Sequence, residues 1–164
     1  MKLLDNREIN QKIQRLAYQI LEHNYREKEI ILAGINNNGV HFAQLLYDRL
    51  QALSSVNIVM TTIQLNPASP LATEVTLDLP AKSIKNKVVI IVDDVANTGR
   101  TIFYAFKPLM EMLPKKVEVA VLVDRKHKSF PILVDYVGLS LATTIQEHID
   151  VKIKTAKEKA VFLD

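Results

Sequence analysis

Cysteine is absent from this 164-residue chain, and with it go disulfides, thiol catalysis and thiolate metal sites. The four histidines, His23, His41, His127 and His148, show no paired ligand spacing, which argues against a structural zinc site. No apolar run reaches the length of a membrane span, and the opening MKLLDNREIN lacks the hydrophobic stretch of a signal peptide. The cytoplasm is therefore the expected compartment. Two phosphate-binding signatures are also missing: the glycine-rich lysine loop of nucleoside triphosphatases and the three-glycine dinucleotide fingerprint. Glycine itself is scarce, with four in the whole chain. The net charge of +3 is mild; it is compatible with anionic ligands and says little about nucleic acid.

What is present reads as one domain, 1–164, with a sizeable core. Residues 6–24 place Ile9, Ile13, Leu16, Ala17, Ile20 and Leu21 at helical spacing, and Asp5 with Glu8 suits a capping box. EIILAG is a short buried strand ending at Gly34, followed by the loop INNNG, a helix over 40–53 and a strand over 56–65. Pro67 and Pro70 mark a loop, and TEVTLDL (73–79) alternates like a half-exposed strand. Further on the pattern predicts a helix over 101–113 kinked at Pro108, and a buried strand over 117–123. Short strands are expected near 134–137, 151–154 and 160–163. Strands alternating with helices indicate an α/β fold with a mostly parallel twisted sheet flanked by helices. Gly34, Gly39, Gly99 and Gly138 all fall near the carboxyl ends of predicted strands, the edge where such sheets bind ligands.

The most informative stretch is VVIIVDDVANTGRTI, residues 88–102. Val88 to Val92 reads as a strand buried on both faces. Asp93 and Asp94 follow at once, where burying them unpaired would be costly. The turn Thr98-Gly99-Arg100-Thr101 then opens a helix, presenting main-chain N–H groups, two hydroxyls and a guanidinium to an anion such as phosphate. Carboxylates beside it suit hydroxyl donors or a magnesium shell rather than the phosphate itself. A ligand with a terminal phosphate and vicinal hydroxyls, a ribose 5-phosphate, meets both demands.

VIIVDDVANTGRT resembles the phosphoribosyl pyrophosphate (PRPP) signature of type I phosphoribosyltransferases: apolar strand, acidic pair, small-residue turn ending Thr-Gly-x-Thr. ILAGINNNGVHFAQLL is similar to the family's pyrophosphate loop, and VAVLVDRKHKSFPILVDYVGLSLATT to the segment carrying its base-binding hood, here roughly 124–150. Within the family, LVDR, His127, Pro131 and DYVG resemble the bifunctional pyrimidine operon attenuators and uracil phosphoribosyltransferases. The resemblance implies a type I phosphoribosyltransferase fold that transfers ribose 5-phosphate from PRPP to a nucleobase, with uracil or another pyrimidine the expected acceptor. It implies that Asp93 and Asp94 hold the ribose hydroxyls and stabilise the transition state, and that Ala96, Asn97, Thr98, Gly99, Arg100 and Thr101 wrap the 5-phosphate. Asn36, Asn37, Asn38 and Gly39 would face pyrophosphate, in a loop where the family often has a strained non-proline cis peptide. Tyr136 and Val137 would lie beside the base through main-chain contacts. Mg2+ would arrive with PRPP, without a protein-only metal site, and a homo-oligomer is usual for such relatives. RNA is a further implied partner, through Arg15, Lys126, His127 and Lys128.

The chain departs from that branch at several positions. Asn37-Asn38-Gly39 stands where Thr-Arg-Gly is usual, and Leu65-Asn66-Pro67-Ala68-Ser69 replaces a charged lid. Leu139 and Ala142 replace a lysine and a proline of the hood, while Gln14 and Tyr18 replace a threonine and a histidine of the RNA surface. These departures leave an alternative: a weakly active or inactive regulator that senses PRPP or a nucleotide, with or without RNA. Of the remaining candidates, His127 reads as part of a solvated loop ahead of a functional contact, Phe42 and Tyr47 as core or subunit contacts, and Asp124 with Arg125 as an ion pair.

Overall fold

The computed structural model describes residues 1–142, 146–154 and 157–164. A six-stranded sheet forms its centre: β2 (Glu29–Ile35), β3 (Asn57–Gln64), β4 (Thr76–Leu77), β5 (Val88–Ala96), β6 (Lys116–Arg125) and β7 (Tyr136–Leu141). Their spatial order is β4-β3-β2-β5-β6-β7, parallel throughout except for β4 against β3. The helices are α1 (Asn6–His23), α2 (Asn36–Leu53) and α3 (Arg100–Ala105). The order reverses between β2 and β5: the chain leaves β2 toward β3 on one side and β5 toward β6 on the other. Their carboxyl ends therefore diverge and open a crevice, the usual ligand position in such sheets.

Alternation along the buried strands divides the core in two, because successive side chains point to opposite faces. Ile30, Leu32, Ile90, Val92, Ala120 and Leu122 pack beneath α1 and α2. Ile31, Ala33, Val89, Ile91, Val119 and Val121 pack with Ile84, Ile102, Ala105 and Leu109. At the start of α1 the expected capping box is formed. The Glu8 N–H donates to Asp5 Oδ1 at 2.8 Å, and the Asp5 N–H donates to Glu8 Oε2 at 2.9 Å.

A second, three-stranded antiparallel sheet, β1-β9-β8, joins the ends of the chain: β1 (Lys2–Leu4), β9 (Ala160–Leu163) and β8 (Ile149–Lys152). The hood expected over 124–150 contributes only Ile149 and Asp150 to it, and the part of that stretch at 143–145 lies outside the described residues. β1 escaped the sequence reading because three residues carry no periodicity, and its partner lies at the far end of the chain.

Other boundaries shift for identifiable reasons. α3 stops at Ala105 instead of running to 113, and Pro108 lies at the start of a separate 3₁₀ turn, Lys107–Met110. Proline lacks the N–H and restricts the residue before it. Of 73–79 only Thr76 and Leu77 form the strand: extending the antiparallel ladder through Val75 would run it past the end of β3 toward Pro67, and on the other side Asp78 adds a single bond, its N–H donating to Thr62 O at 3.0 Å. Gly138 lies inside β7, packed on the Leu122 carbonyl, and not at a strand's carboxyl end. Among the described residues no helix is long and apolar enough to cross a membrane.

Beneath α1 a polar cluster closes the opposite end of the sheet. The Tyr136 hydroxyl lies 2.9 Å from both carboxylate oxygens of buried Glu118, and Asn24 Nδ2 donates to the same carboxylate at 3.1 Å. Tyr136→Phe deprives a buried carboxylate of a donor. The expected loss is about 1.5–3 kcal/mol of unfolding free energy, measurable in urea with an unchanged m-value.

Candidate functional site

The crevice at the switch point consists of adjoining basins. The first, about 570 Å³, is lined by the turn Ala96–Thr101 together with Pro67, Val95, Ile102, Ser129 and Phe130. Gly99 sits at φ 87°, ψ −2°, a left-handed conformation that glycine adopts without steric cost, and turns the chain directly into α3. A Cβ there would also lie 2.7 Å from Ile132 Cγ1. The loop containing Ile132 braces the turn from outside, where the Ser129 and Phe130 N–H groups donate to Thr98 O at 2.9 and 3.2 Å. Because α3 has only six residues, its dipole is small, and the main-chain N–H groups and hydroxyls of the turn are the principal anion donors.

The second basin, about 510 Å³, shares Pro67, Val95, Asn97 and Thr101 with the first and contains the acidic pair. Asp93 and Asp94 end the buried part of β5, and each carboxylate accepts from the next residue's N–H, at 2.9 Å in both cases. Burial pushes the Asp93 carboxyl well above the usual carboxylate range, and the charge of Asp94 adds to this. Burial also raises Asp94, partly offset by the hydrogen bonds it shares with Asp93 and the Val95 N–H.

Across the basin stands the start of α2. The pyrophosphate-loop candidates form its first turn rather than a free loop, which is why the helix begins four residues earlier than its periodicity suggests. Asn36 has φ 51°, Asn37 and Asn38 are exposed, and Gly39 is buried. A Cβ on Gly39 would lie 2.5 Å from Val92 O, so this position is what allows α2 to approach β5 closely. The strained cis peptide expected here is absent: the described residues contain none, and the backbone instead turns through the left-handed Asn36.

The base-binding candidates are not brought to the crevice. Tyr136 is buried with its hydroxyl in the Glu118 cluster, and neither it nor Val137 lines either basin. Both lie at the start of β7, whereas the crevice opens at the strands' carboxyl ends. The wall there comes instead from His148, Ile149, Asp150, Val151 and Lys154, in and beside β8. Their only sequence signal was a short strand near the end of the chain, with nothing local to indicate what it would face.

The basic candidates are divided. The Arg15 guanidinium donates to Val137 O and Gly138 O at 3.1 and 2.8 Å. Lys128 pairs with Asp124 at 2.7 Å and donates to Arg125 O. Lys126 and His127 are exposed. The expected Asp124–Arg125 ion pair is not formed: Asp124 is taken by Lys128, and the Arg125 guanidinium donates to Glu147 O. Phe42 is a core residue, and Tyr47 packs partly buried against the same core.

An open, mostly parallel sheet with a glycine turn and an acidic pair at its switch point is the architecture of a phosphoribosyltransferase. The phosphoribosyl transferase domain model matches residues 1–156, and the chain belongs to that family. It is 32% identical over 171 residues to the bifunctional protein PyrR of Pediococcus pentosaceus, covering 99% of this chain and 97% of that protein. To the bifunctional protein PyrR of Streptococcus gordonii it is 36% identical over 155 residues, covering 93% and 90%. The fold is similar to a Trypanosoma cruzi hypoxanthine phosphoribosyl transferase (TM-score 0.77, 19% identity, 98% and 90% covered). It is similar also to a hypoxanthine-guanine phosphoribosyltransferase from Bacillus anthracis (TM-score 0.75, 18% identity, 98% and 97% covered).

The acidic pair carries a pH signature. An aspartate whose folded pKa is raised binds more protons in the native state than in the unfolded one. Its contribution is then fully present below the ordinary carboxylate pKa and is lost as pH rises through the folded value. Asp93→Asn is therefore expected to flatten this fall in stability above the ordinary carboxylate range and to raise Tm at pH 7 by a few degrees. Thermal unfolding from pH 4 to 8 measures both.

Proposed function

We propose that this protein transfers the ribose 5-phosphate of PRPP to a nucleobase, with uracil or another pyrimidine as the leading acceptor. The observation that carries the reading is the shared crevice, in which the turn Ala96–Thr101 and the pair Asp93–Asp94 occupy adjoining basins. The turn binds the 5-phosphate through its N–H groups and the Thr98 and Thr101 hydroxyls. Asp93 and Asp94 accept from the ribose hydroxyls and oppose the positive charge that develops on the ring. The bond from the anomeric carbon to pyrophosphate breaks with its electron pair leaving on oxygen. A bond to a base nitrogen forms, and that nitrogen loses its proton. Asn37, Asn38 and the first-turn N–H groups of α2 face the pyrophosphate, while the wall from His148 to Val151 with Lys154 faces the base, in place of Tyr136 and Val137.

Among the described residues no three histidine, aspartate or glutamate side chains cluster as metal ligands. Two adjacent carboxylates without an ion-pair partner there fit Mg2+ delivered by PRPP, with ligand oxygens completing its shell. When bound, the ion would neutralise the leaving pyrophosphate. A homo-oligomer in the cytoplasm completes the proposal.

One observation favours a regulatory reading beside it. Neither Asn36–Gly39 nor 65–69 carries a cationic side chain, and charge-assisted bonds to pyrophosphate are about twice as strong as neutral ones. A PRPP-sensing regulator with slow or no turnover would tolerate that loss. RNA contact in that reading falls to the exposed Lys126 and His127, since Arg15 and Lys128 are engaged within the protein. Incubation with PRPP, Mg2+ and each nucleobase, with nucleotide followed by chromatography, separates the readings. Product with any base supports the transferase, and PRPP binding without product supports the regulator. Asp94→Asn is expected to lower kcat/KM by ~10²–10³, and undiminished turnover would contradict the assigned role.

A further inference from the structure

The loop after β3, Leu65 to Ser69, crosses the mouth of the crevice without a single charged side chain, yet two ties hold it. The first is a paired amide–peptide contact: Asn36 Nδ2 donates to Leu65 O at 2.9 Å, and the Leu65 N–H donates to Asn36 Oδ1 at 3.0 Å. The second lies two residues on, where the Arg100 guanidinium donates to Pro67 O at 2.7 Å. Each tie comes from a different anion-binding loop, one from the start of α2 and one from the phosphate turn. Pro67 lines both basins, and Asn36 lines the acidic basin and a further polar cavity of about 700 Å³ beyond the loop. The two ties therefore hold the loop where it borders all three cavities.

We propose that Asn36 and Arg100 are positioning residues that strap the loop 65–69 across the crevice with neutral main-chain acceptors, and that Asn36 acts on this loop rather than on pyrophosphate. The carboxamide presents one donor face and one acceptor face to the same peptide group, a match that lysine, arginine or aspartate would not make. Asparagine also tolerates the left-handed backbone of this position, φ 51°. The two ties differ in permanence. Arg100 belongs to the turn that takes the phosphate, so an incoming phosphate competes with Pro67 O for the guanidinium. Asn36 instead holds Leu65 by two reciprocal bonds, N–H and C=O together, and keeps it anchored while the loop beyond it yields.

The proposal rests on the phosphoribosyl reading for the ligand, but the strap itself is testable in the free protein. Asn36→Gly removes the side chain without straining the backbone, and Asn36→Asp keeps the acceptor while losing the donor. In Asn36→Gly, amide hydrogen exchange at Leu65 should accelerate about tenfold, with a smaller change in Asn36→Asp. KM for PRPP should rise roughly tenfold with kcat within about twofold, because the loop must then be ordered on binding. Ribose 5-phosphate added to the wild type should speed exchange at Ala68 and Ser69 while Leu65 stays protected. Unchanged Leu65 exchange in Asn36→Gly overturns the strap, as does a fall in kcat at unchanged KM, which would put Asn36 on the reacting groups. Should the wild type bind neither ribose 5-phosphate nor PRPP, the phosphoribosyl reading fails, and exchange in the free protein still decides the strap.

Discussion

Two carboxylates at the end of β5 lie side by side, and neither forms an ion pair among the described residues. Such an arrangement is electrostatically unfavourable, and only a frame stable for other reasons can hold it. That frame is the strand itself: Val88 to Val92 are fully buried, with apolar layers on both faces and parallel neighbours on both edges. The hydrophobic core offsets the cost of the acidic pair.

The second constraint is close packing of backbone on backbone. Gly39 lets α2 begin beside Val92, and Gly99 lets the loop around Ile132 lie on the turn Ala96–Thr101. The first contact sets the start of α2 against β5, and the second braces the turn that follows β5. With Asn36 and Arg100 reaching toward the segment between them, the crevice is defined mainly by main-chain geometry. Its charged side chains are the acidic pair, Arg100, Asp150 and Lys154.

Much of this was legible in the residues, and the exceptions follow one rule. β5 and its turn could be read because the signal is local: a β-branched run, two acids and a glycine turn lie within fifteen residues. The Asp5–Glu8 capping box could be read for the same reason. Features that depend on distant partners were misread or missed. Tyr136 follows a loop near the expected base site, but Glu118 and Asn24 draw its hydroxyl to the opposite end of the sheet. Asp124 pairs with Lys128 four positions on and not with its neighbour Arg125, a choice made by how the loop folds back. The crevice wall from His148 to Lys154 depends on where a second sheet docks, and no local pattern encodes that.

The small sheet has a consequence for how the protein is made. β1 pairs with β9, and the Met1 amino group donates to Leu163 O at 2.6 Å, across nearly the whole chain. On the ribosome, the first strand therefore waits unpaired until residue 163 has cleared the exit tunnel, while the parallel sheet it flanks is already able to collapse. The ordering of β8, which walls the acidic basin, is tied to that late pairing. A nascent chain can thus hold most of its core before the acidic basin is walled, and truncation within β9 would spare the bulk of the fold while leaving that basin open on one side.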